Sequence, residues 1–216
     1  ARMYKDCGGK DMLVLRYDKK FNWNTGKLKF YDNYPPGNSI KLRKYYKEKI
    51  AEAKNNILLV TPYFMPNHWL RRALIRAAKR GVSIEIIMPR MATHPKISNI
   101  ANYFYMAKLY KYGIKSFLTK EMMHSKLMLI DGKEGVLGSQ NLDIVSFDLN
   151  AESGVYFTDI SLVKELKNVA ENWKKDAEIF SPKMRATNLF DYFLEFCFSL
   201  FELLIAFFNR LTSKRY

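Results

Sequence analysis

Cysteine is almost missing from this 216-residue sequence: Cys7 and Cys197 stand far apart, with no CxxC or Cys/His spacing, so neither a disulfide framework nor a zinc site is indicated. That usage fits a reducing compartment. Acidic residues are also few, 21 against 36 Lys+Arg, and the formal charge of +15 suits an anionic partner such as lipid headgroups or nucleic acid, without choosing between them. No signal peptide opens the chain, and the first residue is Ala1 rather than Met, so a processed chain or a fragment is expected. The longest uncharged run of the tail, "LLIAFFN" at 203–209, falls well short of the roughly 20 residues a membrane span needs. What is present is ordinary for a globular protein: 48% hydrophobic residues, in a length that suits one well-buried α/β domain, so disorder is not expected.

Residues 1–37 read as an N-terminal hairpin or connector, in which two β-like runs, "MLVLRY" and "KLKFY", flank the turn-rich "NWNTG". After "YPPGNS", Asn38 or Ser39 is placed to cap a basic helix to about Lys54, with Ile40, Tyr46, Ile50 and Ala53 on its buried face. From there strands and helices alternate: strand 56–61, a helix from about Asn67 to Lys79 ended by Gly81, strand 82–88, and a helix from Pro95 to Tyr112 ended by Gly113. Such alternation implies βαβ units and a largely parallel buried sheet. Strands at 114–118, 126–130 and 152–158 follow, and Asp159 opens a helix to about Ile179. No internal repeat is detectable.

Residues 183–216 differ in kind. On a helix from Asn188 to Arg210, the residues Asp191, Glu195 and Glu202 fall within about 40° of one another, which leaves a very broad Phe/Leu/Tyr face. That face needs burial, first against another domain or subunit, and secondly as an interfacial membrane helix flanked by Lys183, Arg185, Arg210, Lys214 and Arg215.

Chemistry concentrates at 124–141, "HSKLMLIDGKEGVLGSQN". His124 and Lys126 lie two apart where a strand begins, so both point to one side of the sheet. Asp131 closes that strand at the "DGKEG" turn, and the next short strand delivers Gly138, Ser139, Gln140 and Asn141 beside it. An imidazole, an ammonium, a hydroxyl and a carboxamide can thus converge on a phosphate diester. Lys126 supplies fixed charge, Ser139 and Asn141 supply donors, and His124 attacks phosphorus or carries a proton, with no metal or cofactor required. An unperturbed histidine pKa of about 6.5 makes both roles accessible near neutral pH.

The pattern His124-x-Lys126-x4-Asp131-x6-Gly138-Ser139-x-Asn141 resembles the signature of the phospholipase D superfamily at every defined position. Over roughly residues 38–182, "TPYFMP" (61–66), "AAKRGVSIEIIMP" (77–89) and "NLDIVSFDLNAES" (141–153) look like the second half of bacterial cardiolipin synthases. The resemblance implies an α/β half-domain with a mixed, largely parallel sheet flanked by helices on both faces, followed here by the C-terminal hydrophobic helix. It implies His124, Lys126, Asp131, Ser139 and Asn141 as site residues, and Glu152 as the acidic residue that orients the histidine. One departure is Val145, where these synthases commonly carry arginine before the serine that corresponds to Ser146. His94-Pro95-Lys96 mimics the motif's start but meets Ala101 instead of aspartate, and reads as a loop and helix start. His68 reads as a surface or packing residue, and Tyr63 and Phe64 as core.

In that superfamily two histidines face one phosphate, and this chain has one motif. The facing copy is expected from an upstream half of a longer polypeptide or, as the second choice, from an identical subunit across a two-fold axis. In the first arrangement His124 is the general acid/base. The resemblance implies phosphatidyl transfer, two phosphatidylglycerols giving cardiolipin and glycerol, by an enzyme held peripherally or monotopically at the bacterial cytoplasmic membrane. Simple phospholipid hydrolysis and a homodimeric nuclease are the alternatives, nucleic acid ranking below lipid because no aromatic-basic stacking platform stands out. The chain alone, with an unpaired motif, would then be inactive.

Overall fold

The computed structural model describes residues 26–33, 40–90 and 95–184, and most positions of 189–200. In chain order the first elements are β1 (Leu28–Asn33), α1 (Ile40–Glu52), β2 (Asn56–Val60), β3 (Phe64–Met65), α2 (His68–Lys79), β4 (Ser83–Pro89), α3 (Pro95–Tyr110) and β5 (Lys115–Thr119). They are followed by β6 (Leu127–Ile130), β7 (Glu134–Gly138), β8 (Leu142–Asp143), α4 (Ile144–Asp148), β9 (Glu152–Phe157), α5 (Ile160–Lys175) and β10 (Glu178–Ile179). The run "MLVLRY", the cap candidates Asn38 and Ser39, and His94 lie outside the described residues.

Eight strands form one sheet in the order β1-β9-β7-β6-β2-β4-β5-β10, and β3 pairs with β8 beside it. The sheet is mixed, as expected, but the expectation of a largely parallel one is corrected. Only β2–β4 and β4–β5 are parallel, while β1–β9, β9–β7, β7–β6, β6–β2 and β5–β10 are antiparallel. Parallel neighbours need a crossover, which α2 supplies from β2 to β4 and α3 from β4 to β5. Between β6 and β7 there are three residues, 131–133, which can only reverse the chain.

Strand periodicity divides the core in two. Ile57, Leu59, Ile84, Ile86, Met128 and Ile130 face α1, α2 and α3, whose Leu42, Tyr46, Ile50, Leu70, Leu74 and Leu109 close that side. Leu58, Val60, Ile87, Leu127 and Leu129 face α5 with its Val163 and Ala170. Gly81 and Gly113 take left-handed φ values of 90° and 75° that end α2 and α3 where the sequence placed their stops. Asp159 caps α5 through the amides of Ser161 and Leu162. That helix ends at Lys175 rather than near Ile179, because Glu178 and Ile179 are taken up by the free edge of β5.

Among the described residues α5 packs over β4, β5 and β7 on its side of the sheet, and its N-cap Asp159 pairs with Lys27 just before β1 at 3.0 Å. Phe30, Val155 and Leu137 lie in one cross-strand row there, with Phe30 51% and Leu137 38% exposed. At the other end of the chain, the described positions of 189–200 are helical and expose Leu189, Phe190, Tyr192, Phe193, Phe196 and Leu200. Phe198 turns back onto Phe104. Among the described residues no helix is long and apolar enough to cross a membrane.

Candidate active site

Lys126 precedes β6 with the parity of Met128 and Ile130, so its stem enters the core and only 6% of the residue is exposed. Its ammonium donates to the His124 carbonyl at 2.7 Å and stands 2.9 Å from Nδ1 and 3.0 Å from Nε2 of the His124 ring. His124 itself is exposed. Burial lowers the Lys126 pKa from the ordinary lysine value, and the nearby carboxylates of Glu152 and Asp143 counter it by favouring the ammonium.

Gly138 donates its amide hydrogen to the Lys126 carbonyl at 3.2 Å, which brings the second half of the motif to the first. Ser139 follows. Its amide donates to Ser153 O at 2.9 Å, its hydroxyl accepts from Ser153 N at 3.0 Å and donates to the buried Glu152 carboxylate. Asn141 donates its backbone amide hydrogen to the Ser146 hydroxyl at 3.0 Å. Its side-chain amide bonds to Asp143, while its Oδ1 is buried without a partner. Burial raises the Asp143 carboxyl above the usual carboxylate range, with Glu152 adding to it and the bonds from Ser146 and Asn141 opposing.

The fold therefore brings His124, Lys126, Ser139 and Glu152 together, with Asn141 at the edge of the group. Glu152 meets Ser139, and no hydrogen bond joins it to His124 among the described contacts. Asp131 is elsewhere, at the far end of β6. There it takes a positive φ of 53° and accepts from the backbone amides of Asn55 at 2.7 Å, Asn56 at 2.9 Å and Lys54 at 3.0 Å. Partial burial would raise its carboxyl, but these three amides outweigh that and hold the pKa below the ordinary aspartate value.

Several neighbours were not singled out from the sequence. Thr61 of "TPYFMP" accepts from Leu142 N at 3.2 Å, and β3 pairs with β8, so that segment braces the strand after Asn141. Asp143 caps α4 by accepting from Ser146 N at 2.7 Å, and its D-x-x-S spacing is a readable helix-start signal. Gln140 is wholly buried between the hydroxyls of Tyr31 and Tyr46, a contact across about a hundred residues that no local pattern announces. Phe64 is core and His68 is on the surface of α2. Val145 is exposed on α4, while Ser146 is buried. An ammonium, an exposed imidazole and a hydroxyl at one corner can hold a tetrahedral anion and move a proton. Among the described residues no three His, Cys, Asp or Glu side chains gather as metal ligands.

The fold is the one seen in a phospholipase D family member, Nuc from Salmonella typhimurium, at a TM-score of 0.60 and 20% identity over 71% of this chain and 99% of that one. Phosphatidylserine synthase from Haemophilus influenzae Rd KW20 shares it at a TM-score of 0.61 and 15% identity, over 87% of this chain and 46% of that one. Residues 46–173 match the family described as cardiolipin synthase, PLD-like domain, and the chain belongs to it. It is 36% identical over 138 residues to probable cardiolipin synthase YwiE of Bacillus subtilis (strain 168), covering 63% of this chain and 27% of that protein. To minor cardiolipin synthase ClsB of the same organism it is 33% identical over 141 residues, 65% of this chain and 35% of that protein. The chain thus spans about a quarter to a third of the curated relatives it matches.

Proposed function

We propose that this chain supplies one half of the active site of a membrane-associated phosphatidyltransferase that converts two phosphatidylglycerols into cardiolipin and glycerol. The observation that carries this reading is the Lys126 ammonium, buried and held within 3.0 Å of an exposed His124 imidazole in a domain of the cardiolipin synthase family. Lys126 and Ser139 hold the phosphate oxygens, and Asn141 completes their shell. A histidine of the facing motif attacks phosphorus, a P–N bond forms as the P–O bond to the leaving glycerol breaks, and His124 gives that glycerol its proton. His124 then takes the proton of the second lipid's glycerol hydroxyl, whose oxygen bonds to phosphorus as the P–N bond breaks. Glu152 fixes Ser139, and Asp131 anchors the strand that carries the pair.

The facing motif belongs to a second domain of this fold, in the rest of a longer polypeptide or in a second copy. The row of exposed Phe30 and Leu137 with half-buried Val155 between them gives it an apolar seat near the Ser139 end of β7. The exposed aromatic tail and the +15 charge support attachment to an anionic lipid surface. Phosphatidylglycerol vesicles and single-stranded DNA, offered in parallel to the assembled enzyme, test the reading. Cardiolipin and glycerol should form, and His124→Ala should stop both. DNA cleavage without lipid turnover would sink it, and phosphatidic acid as the sole lipid product would make the enzyme a hydrolase.

A further inference from the structure

Ser139 and Asn141 flank a residue that touches no substrate position. Gln140 is 0% exposed, its Oε1 accepts the Tyr31 hydroxyl hydrogen, and its Nε2 donates to the Tyr46 hydroxyl at 2.9 Å. Gln140 is buried between an exposed Ser139 and a half-buried Asn141, so its anchor fixes the short backbone turn that carries both. The anchor joins three elements: Tyr31 comes from β1, Tyr46 from α1, and Gln140 from the link between β7 and β8.

Space has been left for it. Gly138 and Gly154 are register partners on β7 and β9, and the Tyr31 hydroxyl occupies the room a Cβ on either would need. At Gly154 such a Cβ would lie 2.5 Å from that hydroxyl, a separation side chains do not tolerate. The tyrosine ring is itself fixed. It stacks on Tyr156 at 4.5 Å between centroids, and Tyr156 stacks on Tyr45, the chain neighbour of Tyr46, at 3.9 Å. Burial drives the Tyr31 and Tyr46 hydroxyls far above the ordinary tyrosine pKa, so both stay protonated at any working pH.

We infer that Tyr31 and Gln140 are positioning residues, a buried hydrogen-bond brace that sets the orientation of the phosphate-holding Ser139 and Asn141. This rests on the reading of those two residues as phosphate ligands. Tyr31, Gln140 and Tyr46 are too buried to meet a lipid phosphate, so they act through the turn. Small displacements of ligand groups are costly to rate, and the same displacement loosens the hold on a bound phosphate.

The test uses Tyr31→Phe, Gln140→Met and the double variant in the assembled enzyme. Each single change should lower kcat/KM for the lipid about ten- to hundredfold, through kcat and KM together. In the Gln140→Met background, Tyr31→Phe should cost less than about twofold more, because its route to the site has gone. Inorganic phosphate affinity of the folded chain, read by phosphorus NMR titration, should weaken about tenfold in both single variants. A lowered melting temperature with kcat/KM and phosphate affinity unchanged would make the brace purely structural and overturn the inference. Equal losses from Tyr31→Phe in both backgrounds would overturn the route through Gln140. If wild-type enzyme turned over no lipid while phosphate affinity still fell in the variants, the substrate reading would fail and the positioning role would stand.

Discussion

The Glu152 carboxylate accepts the Ser139 hydroxyl hydrogen, and the imidazole of His124 is met instead by the ammonium of Lys126. Glu152 is buried and its hydrogen bond to that serine is its side-chain contact among those described. Ser139→Ala should therefore cost about 1–3 kcal/mol of stability, the penalty for a buried acceptor left without its donor. Urea denaturation measures it, and a loss near zero would mean Glu152 is served by another group.

His124 should separate stability from chemistry, and Lys126 should not. His124 is exposed, so His124→Ala should unfold at the same denaturant concentration as wild type while transfer drops about a thousandfold or more. Lys126→Met takes the countercharge from the buried Glu152 and Asp143 carboxylates, so stability should fall along with phosphate binding, in contrast to His124→Ala. Equal phosphate affinity in Lys126→Met would show that the ammonium does not hold the anion.

Asp131 carries a pH signature. Its folded pKa lies below the unfolded value of about 3.9, so its stabilisation is complete above that pH and is lost as pH falls through the folded value. Asp131→Asn should be about 1 kcal/mol less stable at neutral pH, by analogy with a lost backbone cap. That difference should shrink below about pH 4 and close in stronger acid. A difference that persists unchanged at low pH would remove the charge from the explanation.

The apolar row beside β1 predicts an assembly defect. Phe30→Glu with Leu137→Glu should leave the isolated chain folded, because both positions are exposed. Association with the second domain should weaken about tenfold or more, measured by sedimentation or by activity of the assembled enzyme. Unchanged association would place the seat elsewhere.

Much of this was legible in the sequence because its signals are local. The alternation from β2 to β5, the stops at Gly81 and Gly113, and the motif spacing each depend on neighbours a few residues apart. Antiparallel order at the β1 side was hidden, since β9 joins β1 to β7 across more than a hundred residues of chain. The seat of Gln140 was hidden for the same reason: Tyr31 and Tyr46 look like ordinary core aromatics until β1 and α1 are packed. Asp131 shows the converse, a conspicuous motif member that reaches the His124–Lys126 corner only through the strand between them.

That strand gives the motif's spacing a meaning. The four unspecified residues between Lys126 and Asp131 are β6 itself, Leu127–Ile130, and Asp131 bolts its far end to the Lys54–Asn56 amides. From Lys126 to Asp131 is five strand steps, about 17 Å, so the spacing works as a ruler between a fixed post and the His124–Lys126 pair. One inserted residue would turn Lys126 to the α5 side of the sheet, and two would restore its face but carry it about 7 Å beyond Ser139.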